Sequence, residues 1–337
     1  MNISNPTVSV VMPVYNLERY AATAVESLKR QTLGSFEVIV IDDGSTDNSL
    51  AVLTEAAGDD PRFVIISVAN GGAMQARKRG IERACGQYLC FVDGDDYVEP
   101  DFLERLTEAA EDGRYDMVRC AGYVRVTESY RTIIREELPP EMSGCEYIRR
   151  ALCAKSPAFM CDKLYCRRLF DSGLSYNALP LCEDLCLNIQ ILCRTQRIRN
   201  IDYAGYNYVQ RAGSAVRSHN SPEMQMQIGE ALAETFRNNP EVAAAVDSES
   251  LLAVHGVWWY CRYIERSHNR WTGNSAYAVR LRERAGKHRS ALRENLCLTD
   301  RMMFSLDKWR VLRPAVIILS TLKRWRTSLG RRLSKQR

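Results

Sequence analysis

Four short apolar runs, Val8–Val14, Phe36–Ile41, Arg62–Val68 and Gln87–Val92, each break off into a cluster of polar and turn-forming residues, and this rhythm constrains the fold most. Val8–Val14 is β-branched and almost wholly apolar, as a strand covered on both faces must be. Between the runs lie amphipathic stretches: Leu17–Gln31, where Tyr20, Ala24 and Leu28 repeat at helical spacing, and Ala73–Ala84. Strands alternating with helices predict an α/β sheet, and the polar clusters fall at the strand ends where open α/β sheets bind ligands. After Asp93 the pattern loosens. Pro100–Glu111, Glu146–Ala154 and Glu183–Thr195 read as helices; Met117–Val126, Thr132–Ile134 and Ile198–Val209 read as extended. Beyond about Asn220 only helical periodicity remains, which places a boundary there: a first domain over 1–220, and a helical region over 221–337.

The polar clusters carry the chemistry. Phe91-Val92-Asp93-Gly94-Asp95-Asp96 sets three carboxylates on a turn after a buried strand. Carboxylates packed this closely repel one another, and a divalent cation neutralises them. Magnesium or manganese held by one or two carboxylates completes its shell with waters and phosphate oxygens, which suits a nucleotide diphosphate. A bare Asp-x-Asp is more often a solvated turn; its place at a strand end favours the cation. Ile41-Asp42-Asp43-Gly44-Ser45 is a second acidic turn, suited either to a base N–H or ribose hydroxyl or to capping the next helix. Asn70-Gly71-Gly72 brings backbone close to the cleft, and Arg77 follows on a helix, facing a diphosphate or solvent.

Pro13-Val14-Tyr15-Asn16, the Ile41–Asp47 turn, Asn70-Gly71-Gly72 with Arg77, and Phe91–Asp96 stand in the order and spacing of the family 2 glycosyltransferases, which this chain resembles from about Thr7 to Ser214. Cys161-Asp162-Lys163-Leu164-Tyr165 is similar to that family's NKLY-type element, and Glu183-Asp184 to its ED motif. The resemblance implies the GT-A fold, a Rossmann-like mixed sheet flanked by helices, followed here by a helical C-terminal extension. It divides the first domain into a nucleotide-sugar half (7–97) and an acceptor half (98–220). It implies an inverting transferase that moves a sugar from a nucleotide-diphosphate donor, a UDP-sugar first, to a saccharide or lipid-linked saccharide acceptor in surface polysaccharide synthesis. Residue by residue, it implies that Pro13, Tyr15, Asp43 and Arg77 line the nucleotide pocket with Asp93 and Asp95 of the DxD motif, that Asp95 and Asp96 hold the manganese or magnesium ion, and that Asp184 is the general base with Glu183 beside it. Inversion needs such a base and a metal on the leaving diphosphate, without a covalent nucleophile. Tyr206-Asn207-Tyr208 and Arg211-Ala212-Gly213-Ser214 resemble the family's closing loop, from which Arg211 either reaches the diphosphate or closes a surface turn. Lys78 and Asp162 stand where the family commonly has Asn, and the added charge of Asp162 bears on acceptor contacts. The alternatives are a non-catalytic nucleotide-sugar-binding protein, which loss of the carboxylates would favour, and a nucleotidyltransferase, which would show a Gly-rich basic loop after the first strand.

The formal charge of +5 is too small and too dispersed for a nucleic-acid partner. The opening residues lack a signal-peptide pattern, and no apolar run reaches the roughly 18–20 residues of a membrane span, so the expectation is a cytoplasmic protein with reduced thiols. Cys182 and Cys186, one helical turn apart but without a CxxC pair or nearby His, read as buried small residues and not as a zinc site. Trp258, Trp259, Tyr260 and Tyr263 cluster on an expected helix as core or packing surface. At the end, Val311–Leu322 between Trp309 and Trp325 precedes Lys323, Arg324, Arg326, Arg331, Arg332, Lys335 and Arg337. This pattern fits a helix lying on an anionic membrane surface, peripheral on the inner face of the cytoplasmic membrane, and equally a solvated tail or protein contact.

Overall fold

Val8–Val14 (β1) is buried at every position, as an apolar strand covered on both faces requires. This computed structural model describes residues 5–176, 179, 182–211, 221–266, 275–307, 318 and 321. Helix Ala21–Lys29 (α1), strand Phe36–Asp42 (β2), helix Ser49–Ala57 (α2), strand Phe63–Ser67 (β3), helix Ala73–Arg83 (α3) and strand Tyr88–Phe91 (β4) follow in alternation. The strands pair in parallel in the order β3-β2-β1-β4. The first helix is shorter than its periodicity predicts. Leu17 donates its N–H to Ser49 Oγ at 2.7 Å, and residues 17–20 form a turn held against α2.

Then come Tyr97–Val98 (β5), Phe102–Ala109 (α4), Met117–Cys120 (β6), Gly122–Val126 (β7), Arg131–Arg135 (β8), Glu141–Met142 (β9), Gly144–Leu152 (α5), Lys163–Cys166 (β10), Glu183–Leu192 (α6), Ile198–Ile201 (β11) and Tyr206–Val209 (β12). The main sheet has eight strands in the order β3-β2-β1-β4-β10-β6-β11-β9; β10 runs antiparallel to both neighbours, so the sheet is mixed. A four-stranded sheet has the order β5-β12-β7-β8. Met117–Val126 and Ile198–Val209, each read as one extended stretch, are each two strands, with β6 and β11 in the main sheet and β7 and β12 in the smaller one. One run thus serves two sheets, which alternation of apolar residues does not reveal.

The antiparallel strand β10 carries a fully buried lysine. Lys163 is ion-paired to its neighbour Asp162, also buried, and donates to the carbonyls of Phe159 (2.8 Å) and Cys161 (3.1 Å). Asp162 takes left-handed backbone (φ 64°) that turns its carboxylate inward, and Lys163 and Arg119 offset the burial that raises its pKa. The charge that distinguishes Asp162 from the family's usual Asn is therefore spent on Lys163 inside the protein. Lys163→Met should strand a buried carboxylate and cost about 3–5 kcal/mol, read as a lower midpoint in urea unfolding at unchanged slope.

Residues group into two units, one of 1–147, 158–178 and 182–217, the other of 148–157, 179–181 and 218–337. The second unit contains Pro222–Arg237 (α7), Pro240–Val246 (α8), Ser248–Arg266 (α9), Ala276–Lys287 (α10), Arg289–Asn295 (α11) and Leu298–Leu306 (α12). Within it, Lys155 reaches Asn295 Oδ1 at 2.8 Å and Arg149 the carbonyl of Ala245, which ties 148–157 to these helices. Pro222 at the first position of α7 and Ser221 accepting from Met224 N–H start that helix. Helix α9 is the unit's centre, with Ala253, Val254, Val257, Tyr260 and Cys261 fully buried. The Tyr260 hydroxyl donates to Asp307 Oδ2 at 2.8 Å and its ring meets Phe304 edge-on, a core role for this part of the aromatic cluster. The basic tail and residues 212–214 of the expected closing loop lie outside the described residues, as does nearly all of the apolar stretch before the tail.

Candidate active site

The turn after β4 can approach β1 only because residue 94 is glycine: a Cβ there would lie 2.7 Å from Val14 Cγ2 and 3.1 Å from the Pro13 carbonyl. This close approach lays Asp93, Asp95 and Asp96 beside the end of β1. Asp96 is 2% exposed; it accepts from the Tyr206 hydroxyl (2.6 Å) and the Val209 N–H (2.7 Å), both on β12. Asp95 is more open and accepts from Arg211 Nε at 2.6 Å, while the Arg211 guanidinium rests over the Tyr20 ring. Burial, then Asp93, raises the Asp95 carboxyl, with Arg211 opposing. Burial followed by Asp93 and Asp95 pushes Asp96 well up. Asp95 and Asp96 therefore resist ionisation.

Arg77 organises the rest. It is 4% exposed on α3, and its Nη2 donates to Asp93 Oδ1 at 2.8 Å while Nη1 lies 2.8 Å from Asp184 Oδ1. The second contact is close without hydrogen-bond alignment, so Arg77 Nε and Nη1 and Asp184 Oδ1 have no aligned partner among the described residues. Asp184 lies in the first turn of α6, where the helix dipole favours negative charge, with Glu183 half-buried beside it. Burial dominates at Asp184 and pushes its carboxyl up to about 6; Arg77 pulls it down, and Asp93 and Glu183 push it up.

Asp43 spends both carboxylate oxygens on the loop after β3, accepting from the N–H of Gly71 (2.9 Å) and Gly72 (2.7 Å). Gly44, at φ 71°, has no room for a side chain, since a Cβ would sit 2.9 Å from Asn70 N. Asp43 thus braces the Asn70–Gly72 loop. Pro13 is buried at the end of β1 and Tyr15 just beyond it is 47% exposed. Lys78 points along its helix to Glu82 at 3.7 Å. Two neighbours had no advance role: the Cys161 thiol, 3.4 Å from Asp93 Oδ2, and Tyr206, which holds Asp96. Sequence carries no signal for the thiol; Tyr206 belongs to a motif whose strand placement, not its residue types, creates the contact.

Asp93, Asp96 and Cys161 present ligand atoms within 4.8 Å of one another. Burial holds the Cys161 thiol protonated, and hard cations prefer oxygen, so the carboxylates are the part of this set that suits magnesium or manganese. Burial first and then repulsion raise Asp95 and Asp96; a divalent cation offsets both, and the residues present fit one.

Residues 9–171 match the family model described as glycosyl transferase family 2. The chain is 33% identical over 228 residues to the uncharacterized glycosyltransferase EpsJ of Bacillus subtilis, covering 65% of each protein, and 34% identical over 176 residues to the putative glycosyltransferase EpsH of the same organism, covering 50% of each. It therefore spans half to just under two thirds of the length of these curated relatives. Over 99 residues, 29% of this chain and 10% of the relative, it is 41% identical to chondroitin synthase of Pasteurella multocida. Among solved structures, S. aureus TarS 1-349 in complex with UDP-GlcNAc superposes with a TM-score of 0.61 at 20% identity, covering 93% of this chain and 88% of that one. The mannosyltransferase PcManGT from Pyrobaculum calidifontis, in complex with GDP-Man and Mn2+, superposes with a TM-score of 0.51 at 16% identity over 95% and 87%. The fold is GT-A.

Proposed function

Residues 9–171 belong to the family 2 glycosyltransferases, and from that premise we propose that the chain is an inverting, cation-dependent transferase moving a sugar from a nucleoside-diphosphate donor, a UDP-sugar first, to a saccharide or lipid-linked saccharide in surface polysaccharide synthesis. The observation that carries this reading is the Arg77 bridge, which sets Asp184, a carboxylate that burial pushes up to about 6, beside the acidic turn. Polysaccharide synthesis is supported by the likeness to chondroitin synthase, and a UDP-sugar by the fold shared with TarS.

In this reading Asp184 accepts the proton of the acceptor hydroxyl as that oxygen attacks the anomeric carbon from the face opposite the diphosphate. Glu183 keeps the local potential negative, and Arg77 keeps Asp184 ionised enough to act. Pro13 and Tyr15 border the nucleotide, Asp43 fixes the Asn70–Gly72 loop against it, Asp93 meets the ribose, and Arg211 turns from Asp95 to the diphosphate. Asp95 and Asp96 would hold a divalent cation, which when bound would supply positive charge toward the departing diphosphate. The chemistry is a single displacement, so no side chain becomes covalently attached. Incubation of the purified protein with a panel of nucleotide sugars, with and without manganese, tests the reading: cation-dependent release of the nucleoside diphosphate from one donor supports it, and release from none at any cation concentration overturns it.

Among the described residues no helix is long and apolar enough to cross a membrane. A lipid-linked acceptor would be met at the bilayer surface, and the basic tail supplies the attachment. Removal of 323–337 should release the protein from anionic vesicles while sparing hydrolysis of a soluble donor, because each basic residue near such a surface contributes about 1 kcal/mol. Binding should weaken as salt rises. Equal co-sedimentation of the full and shortened chains with acidic liposomes would remove the tail from this role.

A further inference from the structure

Within the second unit, α7, α9 and α10 line an open cavity of about 290 Å³ that the transfer chemistry does not use. At roughly 30 Å³ per water-sized group it holds about ten such groups, the size of one monosaccharide. Two of its glycines differ. A Cβ on Gly256 would lie 2.7 Å from Leu281 Cδ1, so the Leu281 side chain would have to shift to admit one. A Cβ on Gly229 would meet nothing within 4 Å, so packing does not demand a glycine there. Glycine inside a helix costs stability relative to alanine, and what Gly229 preserves is the open space.

The lining is basic. Arg237, Arg280 and Arg284 border the cavity against one acidic group, Glu230, an excess of two positive charges (3 − 1). Neither Arg237 nor Arg280 has a carboxylate within ion-pair distance among the described residues, and Arg284 Nε stands 3.6 Å from Glu249. His255 adds no charge, because burial pushes its pKa down to about 4. Its Nε2 accepts from Trp259 Nε1 at 2.9 Å, which fixes the indole in the cavity wall. Guanidinium groups without a nearby carboxylate, as Arg237 and Arg280 are among the described residues, select phosphate or carboxylate, and a fixed aromatic face stacks on a ring.

We propose that this cavity binds one anionic sugar unit, a pyranose bearing phosphate or carboxylate, with the arginines on the anion and Trp259 against the ring. This goes beyond sugar transfer itself: it makes the helical unit a binding module that distinguishes acidic from neutral saccharides.

The test uses the full chain labelled with 15N-tryptophan, the Trp259 indole resonance being assigned by its loss in Trp259→Phe. Glucose 6-phosphate, glucuronate, glucose and inorganic phosphate are titrated separately. The Trp259 resonance should shift with glucose 6-phosphate, glucuronate or both, and the stronger of the two identifies the anionic group. Gly229→Leu, which fills the cavity, should abolish the shift. Arg280→Gln with Arg284→Gln, at one exposed and one half-buried position of α10, should weaken binding on the order of tenfold or more, with an unchanged sugar-free indole spectrum as the check on folding. Donor hydrolysis should persist in both variants. No response to either anionic sugar, an equal response to glucose or to inorganic phosphate, or undiminished binding in a folded Gly229→Leu protein would each overturn the proposal.

Discussion

Asp184→Asn should cut turnover by roughly 10²–10⁴-fold, the usual contribution of a general base, while nucleoside-diphosphate affinity measured by calorimetry is not weakened. The separation follows from position: Asp184 stands in the first turn of α6 on the far side of Arg77 from the acidic turn. The wild-type pH profile should show the same group. A carboxyl raised by burial to about 6 is ionised above that pH and protonated below it. Turnover should therefore be level above about pH 6 and fall about tenfold per unit below it. Arg77 opposes the rise, so Arg77→Met should move the acidic limb to higher pH. If nucleotide binding collapses together with turnover in Asp184→Asn, the residue is structural and another base must be found.

Asp95→Asn should be as damaging by a different route, abolishing transfer to roughly 10³-fold or more below wild type together with the manganese dependence of donor binding. Asp95, unlike Asp96, is held by Arg211 and not by β12, and that partner can leave it. Asp96 is buried with both oxygens engaged, so its replacement disturbs folding as well. Excess chelator on the wild type should reproduce the loss, and added manganese should reverse it. Full activity in chelator, or in Asp95→Asn, would remove the cation from the mechanism.

The nucleotide half of the fold was legible because it is local: β1, β2 and β4 are apolar runs ending in polar turns, and their bounds fall within a residue or two of the pattern. The other half was not, because its order depends on long-range pairing. Lys163 made β10 look unlike a buried strand, although it pairs with β4 and β6 in the middle of the main sheet. At the site, residue types and motif order pointed to the acidic turn and to Asp184. No pattern in the sequence showed that one arginine would join Asp93 to Asp184, since that contact is made by helices α3 and α6 from distant parts of the chain.

A single guanidinium shared between two carboxylates also makes their occupancies reciprocal. If a donor phosphate draws on the charge of Arg77, Asp184 loses its counterion and holds its proton more tightly; by linkage, protonating Asp184 must then tighten the donor by the same factor. Affinity for the nucleotide would rise as turnover falls on the acidic side of pH 6, so that an acidified protein would be a better trap for its donor than a catalyst. A dissociation constant for the nucleotide that stays flat from about pH 5 to 7.5 would mean that the two carboxylates titrate and bind independently.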